Sequence, residues 1–577
     1  MFKFKPFLKK NHRSIIDDAQ VLSAVVSNAQ GLPSYSRIVD HNTSPALWSG
    51  VENKSTCVIL IDDNRNASIV IDSTNKSNKK IIDKINANLK NQAYISLDVV
   101  VVSTDLMQKL RGYISTKGYS ERLSSLKSEP LVRFRNWLET ALKMKATDLH
   151  LETIQDRGQV RVRAHGEVWP LNDAVSGKYR SEQITESIGS IFQNLTLGSS
   201  NSSSMWKASA DSYTMLMCEV GGKEIKLRFQ ATSGHQGPKA VLRILNGSES
   251  PSQTLGELGY PKSHLVEFER AQQTTNGLIC LAGITGSGKT TSIRSFIETH
   301  PDNGQIVINT VEDPVELIIK GAHQKSIQRS FEDSDEDVRK KIDGAIASML
   351  RSDIDIGVLG ELRDKMTANA WLNMAETGHM GIATLHAHRL TGIVPRLCNE
   401  TMGLNLDDLM TPQVINLFAY QALIPANCPV CKLETDELLR MPGVEHSKTM
   451  NALKVASDLD LDPTYFRWRN PHGCSACNKR GTEGQALLAE LLTPDYQWLD
   501  LMRSRRFMEA NDYHRSRGTF DLKSEDMYCR SIVEHGLLKV IQGEIDITTL
   551  SRFEKLSDFA ANFNRLKGGN NVGIRNS

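Results

Sequence analysis

The run Gly283-Ile284-Thr285-Gly286-Ser287-Gly288-Lys289-Thr290 constrains this chain more than any other stretch. It fits G-x-x-x-x-G-K-[ST], and its flanks fit as well: the apolar segment Gly277 to Ala282 reads as a buried strand, and Thr291 to Thr299 reads as the first turns of a helix. Strand, glycine loop and helix in that order let backbone N–H groups converge on phosphate oxygens at a helix N-terminus. Gly283, Thr285, Gly286, Ser287, Gly288 and Thr291 would line such a site. Lys289 would reach the β- and γ-phosphates, and the Thr290 hydroxyl would ligate Mg²⁺.

A chain of 577 residues exceeds one core, and the length suggests three or four domains. A net charge of +2 offers no global attraction to nucleic acid or to an anionic membrane. The first ten residues carry lysines at 3, 5, 9 and 10 among Phe2, Phe4, Phe7 and Leu8, which reads as a solvated tail rather than a secretory signal. No run of about 18 apolar residues occurs, so no membrane span is expected. Nine cysteines, an odd number, point to a reducing compartment and hence the cytosol.

Residues 1 to about 128 alternate strand-like runs (Thr56 to Asp62, Ala67 to Ile71, Ile95 to Val102) with polar helical stretches such as Lys79 to Asn91, a small α/β or α+β domain. A helix opens after Pro130. In the strand that follows, Asp148, His150 and Glu152 share one face, which suits a metal or acid–base site but equally a solvated or interface face. Val160 to Val168, Glu224 to Arg228 and Ala240 to Leu245 read as further strands, and Gly198 to Ser204 as a flexible loop. Residues 247–261, rich in Ser, Gly and Pro, read as an interdomain linker.

In the nucleotide-binding core that follows, Gln305 to Asn309, Ile356 to Leu359 and Gly381 to Thr384 read as apolar strands that end on polar residues: Thr310 to Glu316, Gly360-Glu361 and Leu385-His386. In an open parallel sheet that edge binds ligand. Glu361, directly after a buried strand, is the candidate to position or deprotonate an attacking water. Gly360 occupies the position where an aspartate commonly holds Mg²⁺, so Glu312, Asp313 and Glu316 are the alternatives, one of them free to be a structural partner of the turn before Pro314. His386 is placed to sense the terminal phosphate, and His379 precedes the same strand.

Cys428, Cys431, Cys474 and Cys477 form two C-x-x-C pairs around 42 residues. Four thiolates in two knuckles suit structural Zn²⁺, with Gly473 and Gly481 easing the turns, and the enclosed segment is long enough for helices of its own. Disulfides or a redox pair are the alternatives.

Taken together, the glycine loop, the acidic box Thr310 to Glu316, Leu350 to Asp355 leading into Gly360-Glu361-Leu362-Arg363-Asp364, the histidine box and the tetracysteine element resemble the type II secretion and type IV pilus assembly ATPases over roughly residues 131–495. The resemblance implies an α/β architecture: a RecA-like P-loop NTPase domain (262–550) with a tetracysteine zinc-binding insertion (426–482), a PAS-like α+β half-module (131–246), an extra N-terminal α/β domain (1–128) that meets the platform, and a polar tail (551–577). It further implies ATP, Mg²⁺ and Zn²⁺ as ligands, a homo-hexamer, a cytoplasmic position peripheral to the bacterial inner membrane, and a polytopic platform protein with other pilus or secretion components as partners, pilin only indirectly and nucleic acid not at all. By position, Lys289 and Thr290 correspond to Walker A, Glu312 to the Asp box, Glu361 to Walker B, and His379 and His386 to the His box. Arg228 and Arg243 correspond to the arginines that the half-module sends toward nucleotide; as bare sequence they would equally be surface strand arginines. Ile354, Thr482 and Gln485 depart from the usual proline, aromatic and arginine, as in a divergent branch such as a type IVb or plasmid-borne system. A nucleotide-gated scaffold, a retraction motor and a nucleic-acid motor are the competing readings.

Overall fold

The computed structural model describes residues 128–171, 179–195, 206–220, 223–245, 252–327, 334–442 and 446–573, and, nearer the N-terminus, 25–26, 32, 37–39, 44–51, 56–62, 65–75, 79–104, 106–107 and 110. The basic N-terminal segment, the serine-rich loop at 198–204 and the first part of the proposed linker lie outside these residues. The chain divides into two compact units, Met1–Val132 with Gly221–Lys223, and Arg133–Val220 with Glu224–Ser577.

In the first unit, β1 (Val25–Val26), β2 (Arg37–Val39), β3 (Cys57–Ile61), β4 (Asn66–Asp72) and β5 (Ile95–Val102) form a sheet in the order β1-β5-β4-β3-β2. The helix Lys79–Asn91, read from the sequence as a polar helical stretch, buries Ile81, Ile82, Ile85 and Leu89 on one face.

In the second unit, β6 (Ala146–Ile154), β7 (Arg157–Ala164), β8 (Glu167–Pro170), β9 (Tyr179–Arg180), β10 (Ser212–Val220), β11 (Lys223–Thr232) and β12 (Lys239–Leu245) form a sheet ordered β10-β11-β12-β6-β7-β8, with β9 on β7. The expected strand Val160 to Val168 is two strands, because the chain reverses at His165 and Gly166, both left-handed.

The larger sheet holds β13 (Gly277–Ala282), β14 (Ile308–Glu312), β15 (Ala322–Ser326), β16 (Ile356–Leu359), β17 (Met380–Leu385), β18 (Ile415–Asn427) and β19 (Thr482–Leu492), in the order β15-β14-β16-β17-β13-β18-β19. All neighbours are parallel except β18 and β19. Every residue of β13 is buried, and successive side chains enter different cores. Leu278, Cys280 and Ala282 pack with Trp371 and Phe418, while Ile279 and Leu281 pack with Phe268 and Phe296. A sheet covered on both faces explains why these strands read as unbroken apolar runs.

Three expectations need correction. The strand expected at Gln305 to Asn309 is Ile308–Glu312, three residues later, so Thr310, Val311 and Glu312 lie within it rather than beyond its end. Residues 252–261 are not a free linker: Leu255 and Tyr260 are buried in the core that contains Ile279 and Phe296. Nor are residues 551–577 a polar tail, since 556–573 are helical and Leu556, Phe559, Ala560 and Phe563 are buried. Phe563 meets Phe520 edge to face, centroids 5.5 Å apart. Among the described residues no helix is long and apolar enough to cross a membrane.

Candidate active site and cysteine cluster

Strand β13 runs into the glycine loop, and the helix Lys289–Glu298 starts with the left-handed Gly288 as its N-cap. Thr285 and Gly286 are exposed at the crown of the loop, while Thr290 and Thr291 are half-buried in the first helical turn. Lys289 arches back, its Nζ donating to the carbonyls of Gly283 (2.9 Å) and Ile284 (3.2 Å). Burial lowers the Lys289 pKa, opposed by the negative charges of Glu361 and Glu316. Both carboxylates are therefore within electrostatic reach of the loop lysine.

Parallel register brings three strand ends together beside the loop. Gly360 N–H donates to Val311 O (2.9 Å), Thr384 Oγ1 to Gly360 O (2.5 Å), and Leu362 N–H to Thr384 O (2.9 Å). On this scaffold the two carboxylate oxygens of Glu361 are held separately. Oε1 is 2.9 Å from His386 Nε2, and Oε2 accepts from Arg363 Nε at 2.6 Å. Arg363 also reaches Asp313 Oδ2 at 3.1 Å. Gly360 packs closely on β14: a Cβ there would stand 3.2 Å from Val311 O and 3.3 Å from the Glu312 Cα, so any side chain would press that backbone back by a few tenths of an ångström.

Asp313 is the member of the acidic box that joins this cluster. The buried Glu312 turns the other way, its Oε1 accepting from Thr310 Oγ1 (2.7 Å) and from Gln324 Nε2 on β15 (2.9 Å). Burial raises its pKa despite those bonds.

The two histidines of the His box are not neighbours. β17 runs parallel to β13 with Met380 opposite Gly277 and Leu385 opposite Ala282. His379 thus sits at the N-terminal edge, its Nδ1 2.9 Å from Thr377 Oγ1, and His386 at the edge of the glycine loop. A six-residue strand separates them by roughly 20 Å. His379 is therefore outside the cluster around Glu361.

Arg228 and Arg243 are register partners on β11 and β12. Arg243 Nε lies 3.7 Å from Asp148 Oδ1, and among the described residues no hydrogen bond or ion pair joins either arginine to the glycine loop. On the same face Glu152 is held by Arg161 (2.5 Å) and Lys239 (2.8 Å). Asp148 and Glu152 are thus charge-paired rather than free ligands, while both ring nitrogens of His150 between them are buried without a hydrogen-bond partner among the described residues.

The four cysteines of the two C-x-x-C pairs form the cluster suited to a metal among the described residues, with all Sγ atoms within 4.8 Å of one another. The pairs Cys428–Cys474 and Cys431–Cys477 are 3.9 Å apart, and Cys474–Cys477 3.8 Å. Tetrahedral Zn–S bonds of about 2.3 Å require S···S separations of about 3.8 Å, so the donor set fits zinc. All four thiols are free, without disulfides. Cys477 Sγ accepts N–H bonds from Cys474 (3.2 Å) and Gly481 (3.1 Å). Burial opposes its thiolate, but these N–H groups prevail and draw its pKa down to about 7. Gly473 has φ +57°, and a Cβ there would come within 2.3 Å of Lys479 C, so the turn needs glycine. The segment between the pairs contains the helices Thr435–Leu439 and Ser447–Asp458, as its length suggested.

Residues 124–551 match the family model described as "Type II/IV secretion system protein". The chain belongs to that family. As a member it is an ATP-hydrolysing enzyme. It is similar to the type II secretion system protein E of Pseudomonas aeruginosa, 28% identical over 67% of this chain and 69% of that protein. It is likewise similar to the type IV pilus assembly ATPase PilB of Myxococcus xanthus, 28% identical over 65% of this chain and 61% of that protein. Among solved structures, the Legionella pneumophila ATPase DotB is 18% identical, with a TM-score of 0.48, over 73% of this chain and 95% of that one.

Two residues that support the loop of this secretion-family chain escaped the sequence reading. Gln421, fully buried on β18, donates from Nε2 to Ser287 O (2.7 Å) and accepts from Tyr260 Oη (2.6 Å) at Oε1. Tyr260 Oη also lies 3.1 Å from Ser292 Oγ on the helix after the loop. The legible signal was a lone glutamine inside an apolar strand; Tyr260 was hidden in a polar stretch.

Proposed function

We propose that this chain is the ATP-driven motor of a type IV pilus assembly or type II-like secretion apparatus, acting as a homo-hexamer on the cytoplasmic face of the inner membrane through a polytopic platform protein. The observation that carries this reading is Glu361, fixed between His386 and Arg363 at the sheet edge that also holds Lys289. Lys289 binds the terminal phosphates, and Thr290 is placed to hold Mg²⁺, which when bound neutralises phosphate charge. Glu361 orients the attacking water and takes its proton. Each oxygen accepts one bond and keeps a second acceptor site, so a water can dock on Glu361 while Arg363 and His386 hold the carboxylate in place. Arg228 and Arg243 reach the phosphates only when their module is brought up, from this subunit or a neighbouring one. Motion of the 133–245 module relative to the nucleotide-binding core then becomes work on the platform.

By the resemblance, the related retraction motors lack a tetracysteine element, so the cysteine quartet favours assembly or secretion over retraction. The test is Glu361→Gln. Phosphate release should fall by about 10²- to 10⁴-fold while ATP is still bound, and cells carrying the variant should lose surface fibres or secretion. Wild-type turnover by this variant would remove Glu361 from the catalytic role. Normal fibres without turnover would favour a nucleotide-gated scaffold.

A further inference from the structure

The β7–β8 hairpin of the half-module rests on the polypeptide around the second cysteine pair. Glu167 Oε1 accepts from Arg469 NH1 at 2.8 Å and lies 3.7 Å from Arg552 NH2. The Arg469 guanidinium also lies over the Trp169 ring, 5.3 Å from its centroid, an arrangement that favours a cation. Beside it, Lys145 Nζ pairs with Glu483 Oε1 at 3.3 Å.

The other arm of Arg469 is tied to the cysteine knuckle. Its Nε donates to the Arg480 carbonyl (3.0 Å). Arg480, buried, donates from its backbone N–H (3.1 Å) and from Nε (3.0 Å) to the carbonyl of Cys477, and its NH2 reaches Glu483 at 3.4 Å. Two continuous routes thus leave Cys477: through Arg480 and Arg469 to Glu167 and Trp169, and through Arg480 and Glu483 to Lys145. The knuckle itself holds Asn478 at φ +50° and Lys479 at φ +59°, left-handed conformations that side-chain-bearing residues adopt only when their surroundings impose them. The turn is closed by Lys479 N–H donating to Cys474 O (2.8 Å) and Asn478 N–H to Ser475 O (3.2 Å), and a metal on the four thiolates would brace it further.

We propose that the cysteine quartet, loaded with zinc, sets the angle between the 133–245 module and the nucleotide-binding core, with Arg469 as the positioning residue that holds Glu167 against the knuckle. The proposal rests on reading the quartet as a zinc site and on the motor reading above. It gives the zinc a task in the ATP cycle: the module that carries Arg228 and Arg243 is clamped to an anchor that the metal keeps rigid.

The full-length protein is examined by hydrogen–deuterium exchange over the peptide covering β8, with zinc content measured on the same samples. Arg469→Met should retain one zinc per chain yet raise β8 exchange by about tenfold. Removing zinc from the wild type should raise it by a similar factor, and removing zinc from Arg469→Met should add nothing further. Glu167→Gln should behave like Arg469→Met, and both should shift the KM for ATP more than kcat. Unchanged β8 exchange in zinc-loaded Arg469→Met overturns the clamp even if the metal-free protein unfolds. Additive effects of metal removal and Arg469→Met overturn the route through Arg469. A wild-type chain with no bound zinc overturns the metal reading itself, and that failure is distinguished by the stoichiometry. Loss of ATPase in Glu361→Gln has no bearing on these readouts, so failure of the motor reading is separately visible.

Discussion

His386 Nε2 stands 2.9 Å from Glu361 Oε1, although 25 positions separate the two residues along the chain. An ionised carboxylate can only accept, so the contact places a proton on Nε2 of the ring. Removing it by His386→Ala takes away a hydrogen bond to a charged group, worth about 1.5–3 kcal/mol. If that bond aligns Glu361 in the transition state, kcat should fall about ten- to a hundredfold with the KM for ATP within about threefold. Steady-state phosphate release checks this, and an unchanged kcat would reduce His386 to a surface contact.

Tyr260 and Gln421 support the loop from beneath. Tyr260→Phe leaves the buried Gln421 Oε1 without this donor, at a cost of about 1–3 kcal/mol. Stability should fall by that amount in urea denaturation, and ATP should bind several-fold more weakly because Ser287 loses a rigid partner. A variant as stable as wild type would show that the pair merely fills space.

Glu490 on β19 gives a pH signature. Burial pushes its carboxyl up to about 7, against the Ile532 N–H that it accepts and with the help of Glu534 nearby. A folded pKa above the unfolded value means a contribution to stability that is full below about 4.5 and lost as pH rises through about 7. Glu490→Gln should therefore be more stable than wild type at pH 8, on the order of 2–3 kcal/mol, with the gap closing toward pH 5. Denaturation midpoints at the two pH values decide it. An equal gap at both would rule out titration as the cause.

The cysteine cluster should hold one zinc per chain after extensive dialysis. Cys431→Ser should drop this below about half an equivalent and lower the melting temperature, because structural zinc binding is coupled to folding. Full zinc retention in that variant would exclude the four-thiolate site.

Sequence reading located the residues of the site better than their partners. Glu361 was legible because a carboxylate directly after an apolar run can only sit at a sheet edge. That Arg363 would engage it and also reach Asp313 was not legible, because it depends on β14 and β16 lying side by side. The helix 556–573 was misread for a different reason: Phe559 and Phe563 carry its buried face, but Asn and Gly around them dilute the pattern.

The sequence by itself determined the glycine loop and its flanking strand and helix, the carboxylate of Glu361 at a strand end and the cysteine quartet. These are encoded locally, in short spacings of residues whose chemistry admits few other uses. Only the tertiary structure decided which of them meet. Glu361 and His386 stand 25 positions apart and meet because β16 and β17 lie side by side and parallel. Glu167 and Arg469 are far apart in sequence, yet they meet at 2.8 Å because the β7–β8 hairpin folds onto the knuckle. Such pairings follow from strand order, register and packing, which arise from the whole set of buried contacts and are written in no single stretch of the chain.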